Sequence, residues 1–160
     1  MLLFSATVAD AAAQSLEERM RAAAGAYERK DFALAVGIWR PLAAEGNAEA
    51  QTLLGALYWS GEGVPRDHAE AAKWYLRAAE KGYAWAQNNI GFMLGFGEGT
   101  PPRDDVQAYK WLTLATERYT AKNKDRLDQA IKDRAALAAR MTPAQIADAD
   151  RLVRQWKPVP

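Results

Sequence analysis

The sequence predicts an all-α protein built as a solenoid, a stack of helix pairs closed by a capping helix at each end. Three observations carry that prediction. First, the chain repeats itself: Gly46, Ala48, Ala50, Gln51 and Gly55 return 36 residues later as Gly82, Ala84, Ala86, Gln87 and Gly91. The register continues through Gly61-Glu62-Gly63 and Pro65, matched by Gly97-Glu98-Gly99 and Pro101, and upstream through Ala35 and Ala43, matched by Ala71 and Ala79. Second, the apolar residues between these landmarks follow the period of a helix buried along one stripe. Third, Gly- and Pro-rich connectors stop each helix after a short run. Alanine matches alone mean little in an Ala-rich chain, but Gly, Gln, Trp and Pro in one register do not coincide by chance. A period of this length marks units that bury their apolar faces by stacking on one another.

The elements follow in order. Residues 1–14 hold MLLFSATVADAAA, an apolar stretch followed by the small-x-small triplets Ala9-Asp10-Ala11 and Ala11-Ala12-Ala13 that signal peptidase accepts. No Lys or Arg precedes that stretch and Asp10 limits it to nine residues, so it reads either as part of an export signal or as a frayed tail. The expectation adopted is a periplasmic or secreted protein, with a cytoplasmic one as the alternative. Residues 15–30 form an N-terminal capping helix, Leu16 to Arg29. Residues 31–67 are the first repeat, 68–104 the second and 105–141 a degenerate third, and 142–157 are a C-terminal capping helix.

In the second repeat, Ala71, Ala72, Tyr75, Ala78 and Ala79 share one stripe of a helix from about Ala69 to Lys81. Gly82 supplies the left-handed residue that ends it. The next helix, about Ala84 to Leu94, aligns Ala86, Ile90, Met93 and Leu94, and its small Ala86 and Gly91 permit close backbone approach. Asp67, and Asp104 or Asp105, stand where a carboxylate accepts the free amides of a helix start. An insertion in Pro101-Pro102-Arg103-Asp104-Asp105 lengthens the spacing, so Lys110-Trp111 follows Lys73-Trp74 by 37 residues. The third unit decays: Arg118-Tyr119 stands where glycine is due, and a longer helix runs from Lys122 to Met141 with Leu127, Ala130, Ile131 and Ala138 on one face. Thr142-Pro143-Ala144-Gln145 is a capping box with proline at the first helical position. The helix it opens carries Ile146, Ala149, Val153 and Trp156 on one side.

Composition removes several functions. Lys plus Arg is 21 against 20 for Asp plus Glu, a net charge of +1, so the basic excess of a nucleic-acid binder is missing. There is no cysteine, hence no disulfide, thiolate zinc site or cysteine nucleophile. No segment is long and apolar enough for a membrane helix. Ser5, Ser15 and Ser60 are the only serines, and none lies in a Ser-x-x-Lys or Gly-x-Ser-x-Gly pattern. The single histidine, His68, sits beside Asp67 and reads as a solvated residue at a helix start. Glu62 and Glu98 occupy one loop position in successive repeats, about 10 Å apart by helix packing, with no cleft between them. Gly95-x-Gly97-x-Gly99 has no strand before it, so it is a turn rather than a phosphate loop. No catalytic set, metal site or cofactor is expected; the chain reads as non-enzymatic.

The series Ala71-x-x-Trp74-Tyr75-x-x-Ala78-Ala79-x-x-Gly82, then Ala84-x-Ala86-Gln87 to Gly91, with Gly61-Glu62-Gly63-Val64 in the loop, resembles Sel-1-like repeats over about residues 31 to 116. The segment Met141 to Trp156 resembles the closing segment of bacterial exported members of that family. The first unit departs from the pattern, with Ile38-Trp39 where Trp-Tyr is usual, and Val64 becomes Thr100 in the second loop. The resemblance, to relatives of tetratricopeptide repeats, implies a right-handed α–α superhelix that acts as a scaffold, adaptor or regulator through protein–protein contacts. It also implies that the first helix of each pair lines the concave face.

Trp39, Tyr75 and Leu112 share the inward stripe and belong to the core. Trp74 and Trp111 lie one residue earlier than Tyr75 and Leu112, about 100° around the helix. With Ile38, and flanked by Lys73, Arg77 and Lys110, they are expected to form a ladder on the concave face that binds a protein or peptide, since Trp and Arg anchor interfaces. Trp74 and Trp111 as packing between repeats is the competing reading. A glycan-binding or glycan-processing role in the cell envelope, with indoles stacked on sugars, is the alternative function. A monomer is expected.

Overall fold

The computed structural model describes residues 15–97 and 101–160. Among them are eight α-helices: α1 Leu16–Glu28, α2 Phe32–Ala44, α3 Ala48–Ser60, α4 His68–Glu80, α5 Ala84–Phe96, α6 Asp105–Arg118, α7 Lys124–Ala138 and α8 Pro143–Gln155. One 3₁₀ turn, Ala121–Asn123, precedes α7, and no strand occurs among the described residues. The export reading falls on residues outside that range. No described helix is long and apolar enough to cross a membrane.

Side chains start most of these helices as the sequence predicts. Ser15 and Glu18 close a capping box on α1, and Thr142 with Gln145 does the same for α8, with Pro143 in its first turn. Asp31, Asn47 and Asp67 accept backbone N–H groups at the starts of α2, α3 and α4. Of the two aspartates before α6, Asp104 is the cap, accepting from the Gln107 N–H at 3.0 Å. Asp105 is left for another task. Gly82 ends the α4 turn at φ +86°, the left-handed region expected of it.

The third unit differs in detail from the sequence expectation. The helix expected from Lys122 to Met141 runs only from Lys124 to Ala138, behind the 3₁₀ turn. Without glycine after α6, Tyr119 takes an extended conformation (φ −66°, ψ 141°) and the chain needs extra residues to reverse.

Consecutive helices pack as hairpins from α1 through α7, and α8 returns to pack on α6. Three buried clusters form the core, and each is shared with a neighbouring unit. The first, around Trp39, Leu42 and Leu54, receives the half-buried Trp74 of α4. The second, around Tyr75, Ile90 and Met93, takes in Trp111 and Leu114 of α6 and is covered by Val153 and Trp156. The third joins Leu112, Leu137 and Met141, with Leu94 and Phe96 of α5 against it. This sharing is the stacking that the repeat implies.

The recurring glycines make the sharing possible. A Cβ on Gly55 would lie 2.9 Å from the Tyr75 ring, and one on Gly91 would lie 2.9 Å from Leu112 Cγ. The second helix of each pair thus presses its backbone onto the first helix of the next. The recurring glutamines lock each hairpin. Gln51 Nε2 donates to the Ala43 carbonyl at 3.0 Å and Gln87 Nε2 to the Ala79 carbonyl at 3.1 Å, both buried.

A candidate docking furrow between α4 and α6

Because α5 turns back between them, α4 and α6 run in the same direction and leave a furrow with α5 as its floor. Ala69, Ala72, Lys73 and Leu76 of α4 form one wall, and Gln107 and Trp111 of α6 the other. Ile90 and Leu94 lie beneath, and Pro101 with Pro102 bounds one end; the hollow measures about 410 Å³. Two leucines, Leu76 and Leu94, distinguish it from the preceding unit. At the positions 36 residues before Leu76 and Leu94 stand Arg40 and Tyr58, and Arg40 Nη2 donates to the Tyr58 hydroxyl at 3.3 Å. In the second unit leucines replace this polar pair, and Leu76 stays 38% exposed at the rim.

The six residues expected to form a concave ladder are placed in three groups. Lys73 and Trp111 line the furrow. Lys73 is exposed and ion-paired with Glu70. Trp111 does not project: it is 4% exposed, so its face is floor rather than rung. Trp156 packs edge-on against it with ring centroids 6.3 Å apart, because α8 and the segment after it fold back over α6. Lys110 lies along the same ring, its ammonium 3.9 Å from the centroid, and burial pulls its pKa down against the opposing pull of the Glu80 carboxylate. Trp74 wedges into the first core cluster with the Arg77 guanidinium 4.8 Å over its ring. Ile38 lies apart, in a shallow hollow shared with Ala22 and Gly25 of α1. No continuous exposed ladder forms, and the two tryptophans act as packing between units.

The remaining sequence candidates resolve simply. His68 is not merely solvated: it stacks on Trp59, ring centroids 4.3 Å apart and planes 21° apart. Glu62 accepts hydrogen bonds from the hydroxyls of Ser60 at 3.0 Å and Tyr27 at 3.5 Å, while Glu98 lies outside the described residues. No cluster of three or more potential metal ligands occurs among the described residues. What sequence reasoning missed are Leu76, Leu94 and Gln107. One signal was available for the two leucines: the loss of the Arg40 and Tyr58 polar groups between otherwise matching repeats.

Comparison with known proteins agrees with this geometry. The Sel1 repeat family model matches residues 48–83 and 86–118, the first span covering α3 and α4 and the second all of α6 and all but the first two residues of α5. Among solved structures, the chain is similar to a protective antigen of uropathogenic Escherichia coli strains displaying an SLR fold. The identity is 28% and the TM-score 0.78, over 91% of this chain and 30% of that one. It also resembles a Sel1 repeat protein from Oxalobacter formigenes, at 28% identity and TM-score 0.59, over 86% of this chain and 60% of that one.

Among curated proteins, the ERAD-associated E3 ubiquitin-protein ligase component HRD3B of Arabidopsis thaliana is 38% identical over 64 residues, 40% of this chain and 11% of that protein. Chitin synthase regulatory factor 3 of Schizosaccharomyces pombe is 37% identical over 94 residues, 57% of this chain and 10% of that protein. The chain therefore spans about a tenth of the length of these curated relatives. With its helix pairs, its shared core clusters and Sel1 repeat matches over residues 48–83 and 86–118, the chain is an all-helical repeat solenoid similar to Sel1 repeat proteins.

Proposed function

We propose that this chain is a non-enzymatic docking module, an adaptor or regulator that holds a protein or peptide segment in the furrow between α4 and α6. The furrow itself carries the reading: about 410 Å³ of apolar hollow, framed on rigid helices and rimmed by Lys73 and Gln107. Apolar side chains entering it would each contribute about 1.5–3 kcal/mol of burial, and the polar rim would orient them. The names of two relatives, a ligase component and a synthase regulatory factor, fit a role exercised through attachment to another protein.

The glycan alternative needs open indole faces for sugar rings. Trp39 and Trp111 are buried, and Trp59, Trp74, Trp85 and Trp156 each have a ring face taken by His68, Arg77, Arg126 and Arg118. The docking reading is preferred because the apolar furrow is a formed hollow, whereas these contacts leave at most one face of four indoles for sugars.

Leu76→Glu tests it. The residue is exposed enough for the helix to tolerate the change, yet a carboxylate at the rim penalises any apolar occupant. Partners captured on the immobilised wild-type chain and identified by mass spectrometry should bind the variant at least tenfold more weakly, with circular dichroism unchanged. Equal capture by a folded variant would remove the furrow as the docking site.

A further inference from the structure

The furrow lies between the starts of α4 and α6. Beyond Trp111, at the ends of the same two helices, residues 156–160 of the chain itself lie against Glu80, Lys81, Trp111 and Arg118. Trp156 leaves α8 in an extended conformation (φ −69°, ψ 138°), that of a polyproline II strand. Its ring meets Trp111 on one side and the Arg118 guanidinium on another, 4.5 Å from the centroid. Trp156 and Pro158 lie directly over Gly82, where a Cβ would stand 3.4 Å from the indole and 3.7 Å from the proline ring. The backbone is tied at two points: the Val159 N–H donates to the Glu80 carbonyl at 2.9 Å, and Lys81 Nζ donates to the Pro160 carbonyl at 3.1 Å.

Every group in this seat reads something generic: a main-chain N–H, a main-chain carbonyl, an aromatic ring or a proline. Nothing in it depends on the segment being joined to α8. Residues 157–160 are also exposed, so the segment rests on the surface rather than in the core. Proline-rich strands docking into aromatic-lined grooves are a known recognition mode, helped by the low entropy of the extended state.

We propose that residues 156–160 are a built-in occupant of the furrow, displaced by an extended, proline-containing segment of a partner that places an aromatic side chain on Trp111 and Arg118. The proposal rests on the docking reading above and specifies its ligand. Displacement uncovers Trp111 and extends the furrow from Pro101 toward Gly82. The covered floor that overturned the exposed ladder is then the covered part of the site.

The probe is a fluorescein-labelled peptide of the sequence Arg154–Pro160, followed by anisotropy against the full chain. In Val159→Pro the segment loses the N–H that holds it to Glu80; in Trp156→Ala it loses its anchor. Both variants should bind the peptide at least tenfold more tightly than the wild-type chain, and adding Arg118→Gln to Trp156→Ala should reverse most of that gain. Affinities equal within twofold across wild type and both variants would overturn the proposal, as would a gain that Arg118→Gln leaves intact. Should Trp156→Ala not fold, Val159→Pro decides alone, since it lies beyond the last helix. Failure here leaves the Leu76→Glu capture experiment to judge docking separately.

Discussion

Two glutamine side chains set how each hairpin closes. Gln51 and Gln87 reach back eight residues to a carbonyl at the end of the preceding helix, and Gln87 is fully buried. The Ala79 carbonyl also accepts the Gly82 N–H at 2.9 Å, so losing the glutamine would not orphan it. The cost of Gln87→Ala should therefore be one buried hydrogen bond plus a small cavity, about 1–3 kcal/mol by urea denaturation. Gln51→Ala should cost a similar amount and add to it, since the two amides share no partner. Full recovery of stability in Gln87→Met, which restores volume without a donor, would show that packing and not the hydrogen bond is responsible. The recurrence of these glutamines is plain in the sequence, but their partner is a backbone carbonyl across a turn. Only the closed hairpin reveals it.

At the scale of elements, one ion pair fastens three helix ends. Arg140, just past α7, donates to both Asp105 oxygens at 2.7 and 2.9 Å at the start of α6, and to the Gly95 carbonyl near the end of α5. Hydrogen bonding from Arg140, aided by Arg103, holds the Asp105 carboxyl at about 2, below its ordinary 3.8. A pKa depressed by folding stabilises the fold above the unfolded value, and that contribution disappears as pH falls from about 4 through about 2. Asp105→Asn should thus be less stable than wild type by on the order of 2 kcal/mol at neutral pH. The urea midpoints of the two chains should converge below pH 2; a gap that stays constant down to that pH would refute the coupling. The sequence left Asp104 and Asp105 as equal candidates for the cap, because spacing alone cannot tell a residue that binds its own helix from one that binds another. The same limit explains the rest of the site. Period and punctuation made α1 to α5 legible. The burial of Trp111 depends on α8 folding back over α6, which no local pattern encodes.

The whole molecule is a row of clusters, each shared with a neighbouring unit, so its stability should be graded along the row rather than uniform. The ends bury little: α1 contributes only Ala23 and Ala26 to the core, and α7 only Ala130 and Leu137. The middle helices bury far more, with Tyr75 and four alanines in α4, and Ala86, Gln87, Ile90 and Met93 in α5. Both also carry the furrow, and α6 behind them is covered on its other side by α8. Amide hydrogen exchange read by mass spectrometry should therefore find α4, α5 and α6 most protected. α1 should open first, at denaturant concentrations that leave the centre intact. On the docking function proposed above, the furrow walls would stay rigid while the ends breathe, so binding should not require ordering them. Equal protection from α1 to α8, lost in one step, would mean that the clusters unfold as a single unit. The furrow would then share its stability with every helix rather than with its immediate neighbours.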